Sequence, residues 1–145
     1  MFKSILMPID GSSLSFKPLP AVITLAVQLK AKLVFLSIAE PRLFNASDAD
    51  AVRTGEAVET ANLHTAQQNI GRALASARSA NVPCEAVVAL SRLPCDEILD
   101  TADRLQCDAI AIATRGKMGV IDTLFGESTT QELLRKSSIP VLVFP

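Results

Sequence analysis

The segment from Ala113 to Thr129 reads Ala-Thr-Arg-Gly-Lys-Met-Gly-Val-Ile-Asp-Thr-Leu-Phe-Gly-Glu-Ser-Thr, and within it Gly116 and Gly126 bracket nine residues. Gly126 opens a stretch of helical character. Amides at the start of a helix lack intrahelical acceptors and carry positive partial charge, so those of Glu127, Ser128 and Thr129 suit an anion. Arg115 and Lys117 add formal charge beside them. A phosphate cradle is one reading of this loop; a surface loop with solvated basic residues and turn-permitting glycines is the other. The spacing is not that of a G-x-x-x-x-G-K-[ST] loop, and no G-x-G-x-x-G follows the first apolar run, which sets aside the two commonest nucleotide motifs.

Asp10 ends that first run, just before Gly11-Ser12-Ser13. It is either a ligand-facing carboxylate or a turn residue that caps the following helix. A magnesium-dependent phosphoacceptor site needs an acidic pair there, and Pro8-Ile9-Asp10 supplies one acid. His64 lies inside a long helical pattern with no Ser or Cys nucleophile near it in sequence, which favours a surface or boundary position over catalysis. Cys84, Cys95 and Cys107 are odd in number, widely spaced and without neighbouring His. Neither a disulfide framework nor a zinc site is indicated, and they are expected to be small buried apolar residues, with no metal site in the chain.

The elements that must position these residues alternate. Ser4–Ile9 is a strand, and Phe16–Lys30 is a helix with Leu19, Ile23, Ala26, Val27 and Lys30 on one face. Pro18 and Pro20 make its first turn irregular. Lys32–Ile38 is almost continuously apolar, as a strand covered on both faces should be. Ala39–Gly55 is polar and is expected to be a mobile loop with one short helical turn. Glu56–Ala80 is a long helix turning Ala57, Leu63, Ala66, Ile70, Leu74 and Ala77 inward. Cys84–Leu90 is a third strand, Pro94 opens a helix carrying Ile98, Leu99, Ala102 and Leu105, and Ala109–Ala113 is a fourth strand. Ser128–Lys136 is the last helix and Val141–Phe144 the last strand.

Strict β-α alternation implies parallel strands joined by right-handed crossovers, hence an α/β, doubly wound sheet with helices on both faces. In such a sheet ligands bind beyond the carboxyl ends of the strands, where the strand order reverses. Asp10 and the Thr114–Gly126 loop both follow strands directly.

Composition narrows the function classes. The 145 residues suit a single domain, 1–145, with no internal repeat or linker. Hydrophobic residues make up 49% and the formal charge is −1, which disfavours disorder and a broad nucleic-acid footprint. With no Trp or Tyr and 6 scattered Phe, neighbouring residues build no base-stacking platform. No apolar run has the roughly 18 to 20 residues of a membrane-spanning helix, and the N-terminus lacks a secretory apolar segment, so a cytoplasmic protein with neither nucleic-acid nor membrane partners is expected.

Four separated stretches, Met7-Pro8-Ile9-Asp10-Gly11-Ser12, Leu36-Ser37-Ile38-Ala39-Glu40-Pro41, the glycine-bracketed loop and Ile139-Pro140-Val141-Leu142-Val143, resemble the universal stress protein family over the whole chain. The resemblance implies a five-stranded sheet of order 3-2-1-4-5 and a homodimer paired through Val141–Phe144. ATP-binding members carry G-x2-G-x9-G-[ST], and this chain offers Ala113-x2-Gly116-x9-Gly126-Glu127, so two of the four positions depart. By the same resemblance Asp10 contacts the ribose or adenine side of the nucleotide, Pro8 and Ile9 line the base, and Ile38 offers backbone to adenine. Ile112 and Ala113 pack by the ribose; Arg115, Gly116, Gly126, Ser128 and Thr129 surround the phosphates. Glu127 sets a carboxylate where a hydroxyl donor is expected. ATP affinity should therefore be reduced, with AMP or cyclic AMP affected less, unless Mg2+ bridges the acid to phosphate.

No general acid, base or activated nucleophile is assembled in the sequence. The expected function is thus a stress-response binding module with a degenerate adenine-nucleotide site and at most slow ATP hydrolysis. A weak ATPase or nucleotidyl-transfer enzyme using the same cleft, and a dimeric scaffold that binds no nucleotide, are the alternatives.

Overall fold

A computed structural model describes residues 1–10, 13–39, 49–114 and 127–145, with side chains of 49–56 and 127–128 left out. The strands are β1 (Ser4–Ile9), β2 (Lys32–Ala39), β3 (Cys84–Leu90), β4 (Ala109–Ala113) and β5 (Val141–Phe144). The helices are α1 (Ser13–Phe16), α2 (Leu19–Leu29), α3 (Ala49–Ser79), α4 (Pro94–Arg104) and α5 (Glu127–Lys136). The strands form one five-stranded parallel sheet in the order β3-β2-β1-β4-β5, as the family resemblance implies.

Two cores lie on opposite faces of this sheet. Ile5, Met7, Ile9, Leu33 and Phe35 pack with Val22 and Ala26 of α2 and with Ile70, Ala73 and Ala77 of α3. Leu6, Val34, Leu36, Ile38, Ile110 and Ile112 pack with Ile98 and Ala102 of α4 and Leu133 of α5. Period-two alternation thus sends consecutive residues of β1 and β2 into different apolar layers, which is why both strands read as unbroken apolar runs.

The departures from the sequence reading sit at helix ends and faces. Prolines split the first helical stretch into α1 and α2, with Pro18 as the N-cap of α2 and Pro20 in its first turn. Val27, expected on the core face, is 52% exposed, while Val22 is fully buried. Lys30, also assigned to that face, instead ends the helix at φ 55°. The Ala39–Gly55 expectation is corrected in part: α3 already begins at Ala49. The rest of that loop, 40–48, lies outside the described residues.

One device ends three helices. Lys30, Asn81 and Gln106 adopt left-handed backbone with φ of 55°, 57° and 55°. The next residue in each case is buried and returns its amide to a carbonyl five residues back: Ala31 to Ala26, Val82 to Ala77 and Cys107 to Ala102, at 2.9, 3.0 and 2.8 Å. This is the Schellman arrangement with its apolar anchor, and it aims the chain into β2, β3 and β4.

Gly71 lies on α3 where an added Cβ would meet nothing within 4 Å. Gly71→Ala is therefore expected to stabilise the protein by about 1 kcal/mol, by restricting the unfolded chain without a steric cost. Urea denaturation checks this, and an unchanged or lower midpoint contradicts it.

Candidate functional site

Proline inside a central strand is unusual because it removes a ladder donor. Pro8 lies in β1, the middle strand of the sheet. The carbonyl of Ser4 accepts from Asp108 N at 2.9 Å, so even-numbered positions of β1 face β4. Pro8 is on that side and offers no amide hydrogen. Pairing between β1 and β4 covers Ile5–Leu6 against Ala109–Ile110, whereas pairing between β1 and β2 continues to Ile9–Ser37. The ladder to β4 therefore stops short at the carboxyl ends, where β1 leads to β2 on one side and lies against β4 on the other. This is the switch point of the sheet.

The described candidate residues gather at that end. Asp10 follows β1, is half-buried, and its amide donates to Ser15 Oγ of α1 at 3.3 Å. Ile38 is one residue from the end of β2, and Ala113 closes β4. Thr114 N then donates to Phe144 O at 2.8 Å, which fixes where the chain leaves β4. Thr129, in the first turn of α5, is 7% exposed. α5 starts at Glu127, so the free amides of its first turn are those of the residues anticipated as anion ligands.

Some side chains are committed elsewhere. Ile9 is fully buried in the α2–α3 core, and Ile112, 1% exposed, belongs to the α4–α5 core with Ile38. These residues can offer backbone to a ligand more readily than side chain. Arg115, Gly116 and Gly126 lie outside the described residues, as do the side chains of Glu127 and Ser128. His64 is exposed on α3, in keeping with its surface assignment.

Sequence reasoning did not single out three features of this end. Ser15 is one; the hydroxyl-rich run after Asp10 was its signal. The second is Thr130, 5% exposed, whose Oγ1 has no hydrogen-bond partner among the described residues. The third is a stacking contact, with the Arg72 guanidinium of α3 lying 4.2 Å from the ring centroid of Phe16 and tying α1 to the α3 layer. A separate groove of about 350 Å3, lined by Val27, Lys30, Asn81 and Pro83 among others, opens at the amino end of the sheet and collects none of the candidate residues.

Cys95 and Cys107 are buried and Cys84 is half-buried, and all three are free thiols. Burial pushes the Cys107 thiol above its ordinary range, against a smaller opposite effect of its contact with Ser4 Oγ at 3.6 Å. It is therefore a protonated packing residue at neutral pH. No described helix is long and apolar enough to cross a membrane.

Comparison with known proteins agrees with this architecture. A relative, universal stress protein MJ0531 of Methanocaldococcus jannaschii, is 24% identical over 143 residues, covering 99% of this chain and 82% of its own. The solved structure of protein MJ0577 matches with a TM-score of 0.81 at 20% identity, covering 99% of this chain and 96% of the other. A universal stress protein from Archaeoglobus fulgidus, solved in complex with dAMP, matches with a TM-score of 0.64 at 14% identity, covering 100% of this chain and 98% of its own. The model of the universal stress protein family matches residues 1–145, and the chain belongs to that family.

Proposed function

We propose that this chain is a binding module whose cleft between the carboxyl ends of β1 and β4 takes an adenine nucleotide, AMP in preference to ATP. The observation that carries the reading is the early stop of the β1–β4 ladder at Pro8, with Asp10, Ala113 and the start of α5 around it. The base and ribose sit against backbone near Ile38, Ile112 and Ala113, with Asp10 toward the ribose. The phosphate meets the first amides of α5, flanked by Arg115, Gly116, Gly126, Ser128 and Thr129. The dAMP complex of the Archaeoglobus relative supports this class of ligand. Mg2+ enters with a triphosphate, bridging it to Glu127 and relieving the repulsion there. Turnover of bound ATP is slow and incidental to binding, because the sequence assembles no general acid, base or activated nucleophile.

AMP at 100 times its dissociation constant should stabilise the fold by about 2.7 kcal/mol. A thermal melt reads this directly, and Asp10→Ala should lose most of the shift. No shift with AMP, ATP or cyclic AMP, with and without Mg2+, favours the nucleotide-free scaffold instead. Turnover well above background that disappears in Asp10→Ala favours the enzyme reading.

The module works as a homodimer. β5 is an edge strand, apolar throughout, with Val143 38% exposed. Antiparallel pairing with its own copy about a two-fold axis satisfies the free backbone groups of that edge. Val143→Lys should shift the molecule to monomer in analytical ultracentrifugation while leaving the melt of the monomer cooperative. A dimer unaffected by the lysine places the interface elsewhere.

A further inference from the structure

We propose that Cys95, Asp96 and Glu132 form a binding site for a thiophilic divalent cation, zinc by its chemistry. The Sγ of Cys95 and one carboxylate oxygen from each of Asp96 and Glu132 all lie within 4.8 Å of one another. They come from two helices: Cys95 and Asp96 from the first turn of α4, Glu132 from α5. A sulfur donor with two carboxylates and an open fourth position for water is a zinc-type donor set, too soft for Mg2+ or Ca2+.

Two independent observations mark the cluster as more than surface acids. The Cys95 side of it is closed: the residue is 3% exposed, and its thiol has no hydrogen-bond partner among the described residues. A cation already occupies the open side. Lys136 Nζ lies 2.8 Å from Glu132 Oε1 and 3.5 Å from Asp96 Oδ1. Its side chain is 41% exposed, so it can leave to water without rearranging the core.

On binding, the S–H bond breaks, a metal–sulfur bond forms, the proton passes to buffer and the Lys136 ammonium moves into solvent. The free amides at the start of α4 favour the resulting thiolate. A bound ion joins α4 to α5, the helix whose first turn carries the proposed phosphate site. The metal site does not depend on that nucleotide reading.

Titration of the intact chain with Co2+, read by the thiolate-to-cobalt absorption in the near ultraviolet and reversed by Zn2+, tests the site. The band should appear in the wild type and in Cys84→Ser, and vanish in Cys95→Ser. Glu132→Gln should weaken binding by at least about tenfold, as loss of a ligand does. Lys136→Met, which removes the competing ammonium, should tighten it. Should Cys95→Ser fail to fold, the two exposed-side variants decide the question. No band at millimolar cobalt, a band that survives Cys95→Ser, or weaker binding in Lys136→Met overturns the proposal.

Discussion

Replacing Glu127 with serine is expected to tighten ATP binding at least about tenfold, the equivalent of 1.4 kcal/mol or more. Two effects act together. A hydroxyl donor to a charged oxygen contributes about 1.5 to 3 kcal/mol, and the glutamate supplies none. Unit charges about 4 Å apart repel by about 4 kcal/mol at an effective dielectric of 20, an upper figure for a wet rim screened by salt. Half of either effect reaches the tenfold mark. AMP carries less negative charge than ATP, so its affinity should change less. Calorimetric titration of both proteins with both nucleotides measures this, and equal ATP affinities show that the carboxylate turns away from the phosphates.

How legible this end of the molecule was follows from what each residue does. Asp10 and the start of α5 could be placed from sequence because strand ends and helix starts have local signatures, an acid before a Gly-Ser turn and a glycine before a polar helix. The role of Pro8 could not be placed. That proline faces β4 only because β4 lies beside β1, a long-range fact that no local pattern carries. The pairing of Cys95 with Glu132 was hidden for the same reason: two helices distant in sequence meet on one face of the sheet.

Phe35→Ala is expected to cost about 3 to 5 kcal/mol, a large share of the 5 to 15 typical of a domain. Phe35 is fully buried in β2, between β1 and β3, and packs in the core shared with α2 and α3. Deleting its ring removes apolar burial and leaves a cavity that the flanking strands cannot close. Val27→Ala should cost less than about 0.5 kcal/mol, because that side chain is 52% exposed. Helical periodicity alone assigns Val27 to the core, so the pair of variants separates the sequence reading from the structure. Urea denaturation of both proteins provides the comparison, and similar losses contradict the burial described for them.

β1, β2 and β4 were the most legible elements because burial on both faces leaves no polar alternation to misread. β1, β3, β4 and β5 fall where the sequence places them, and β2 runs one residue further, to Ala39. The helix boundaries were less so. The polar composition of Ala49–Gly55 reads as loop, yet helix propagates through it from the apolar-anchored turns beyond, since extension needs no new nucleus. The end of α2 at Lys30 was equally hidden, because a lysine in left-handed conformation gives none of the warning that a glycine would.

A crystal structure of the chain grown with millimolar AMP tests the central claim most directly. The account predicts adenine and ribose at the carboxyl ends of β1 and β4, Asp10 toward the ribose, and the phosphate on the first amides of α5. Nucleotide bound elsewhere, or a cleft filled by the chain's own glycine-bracketed segment, would contradict it.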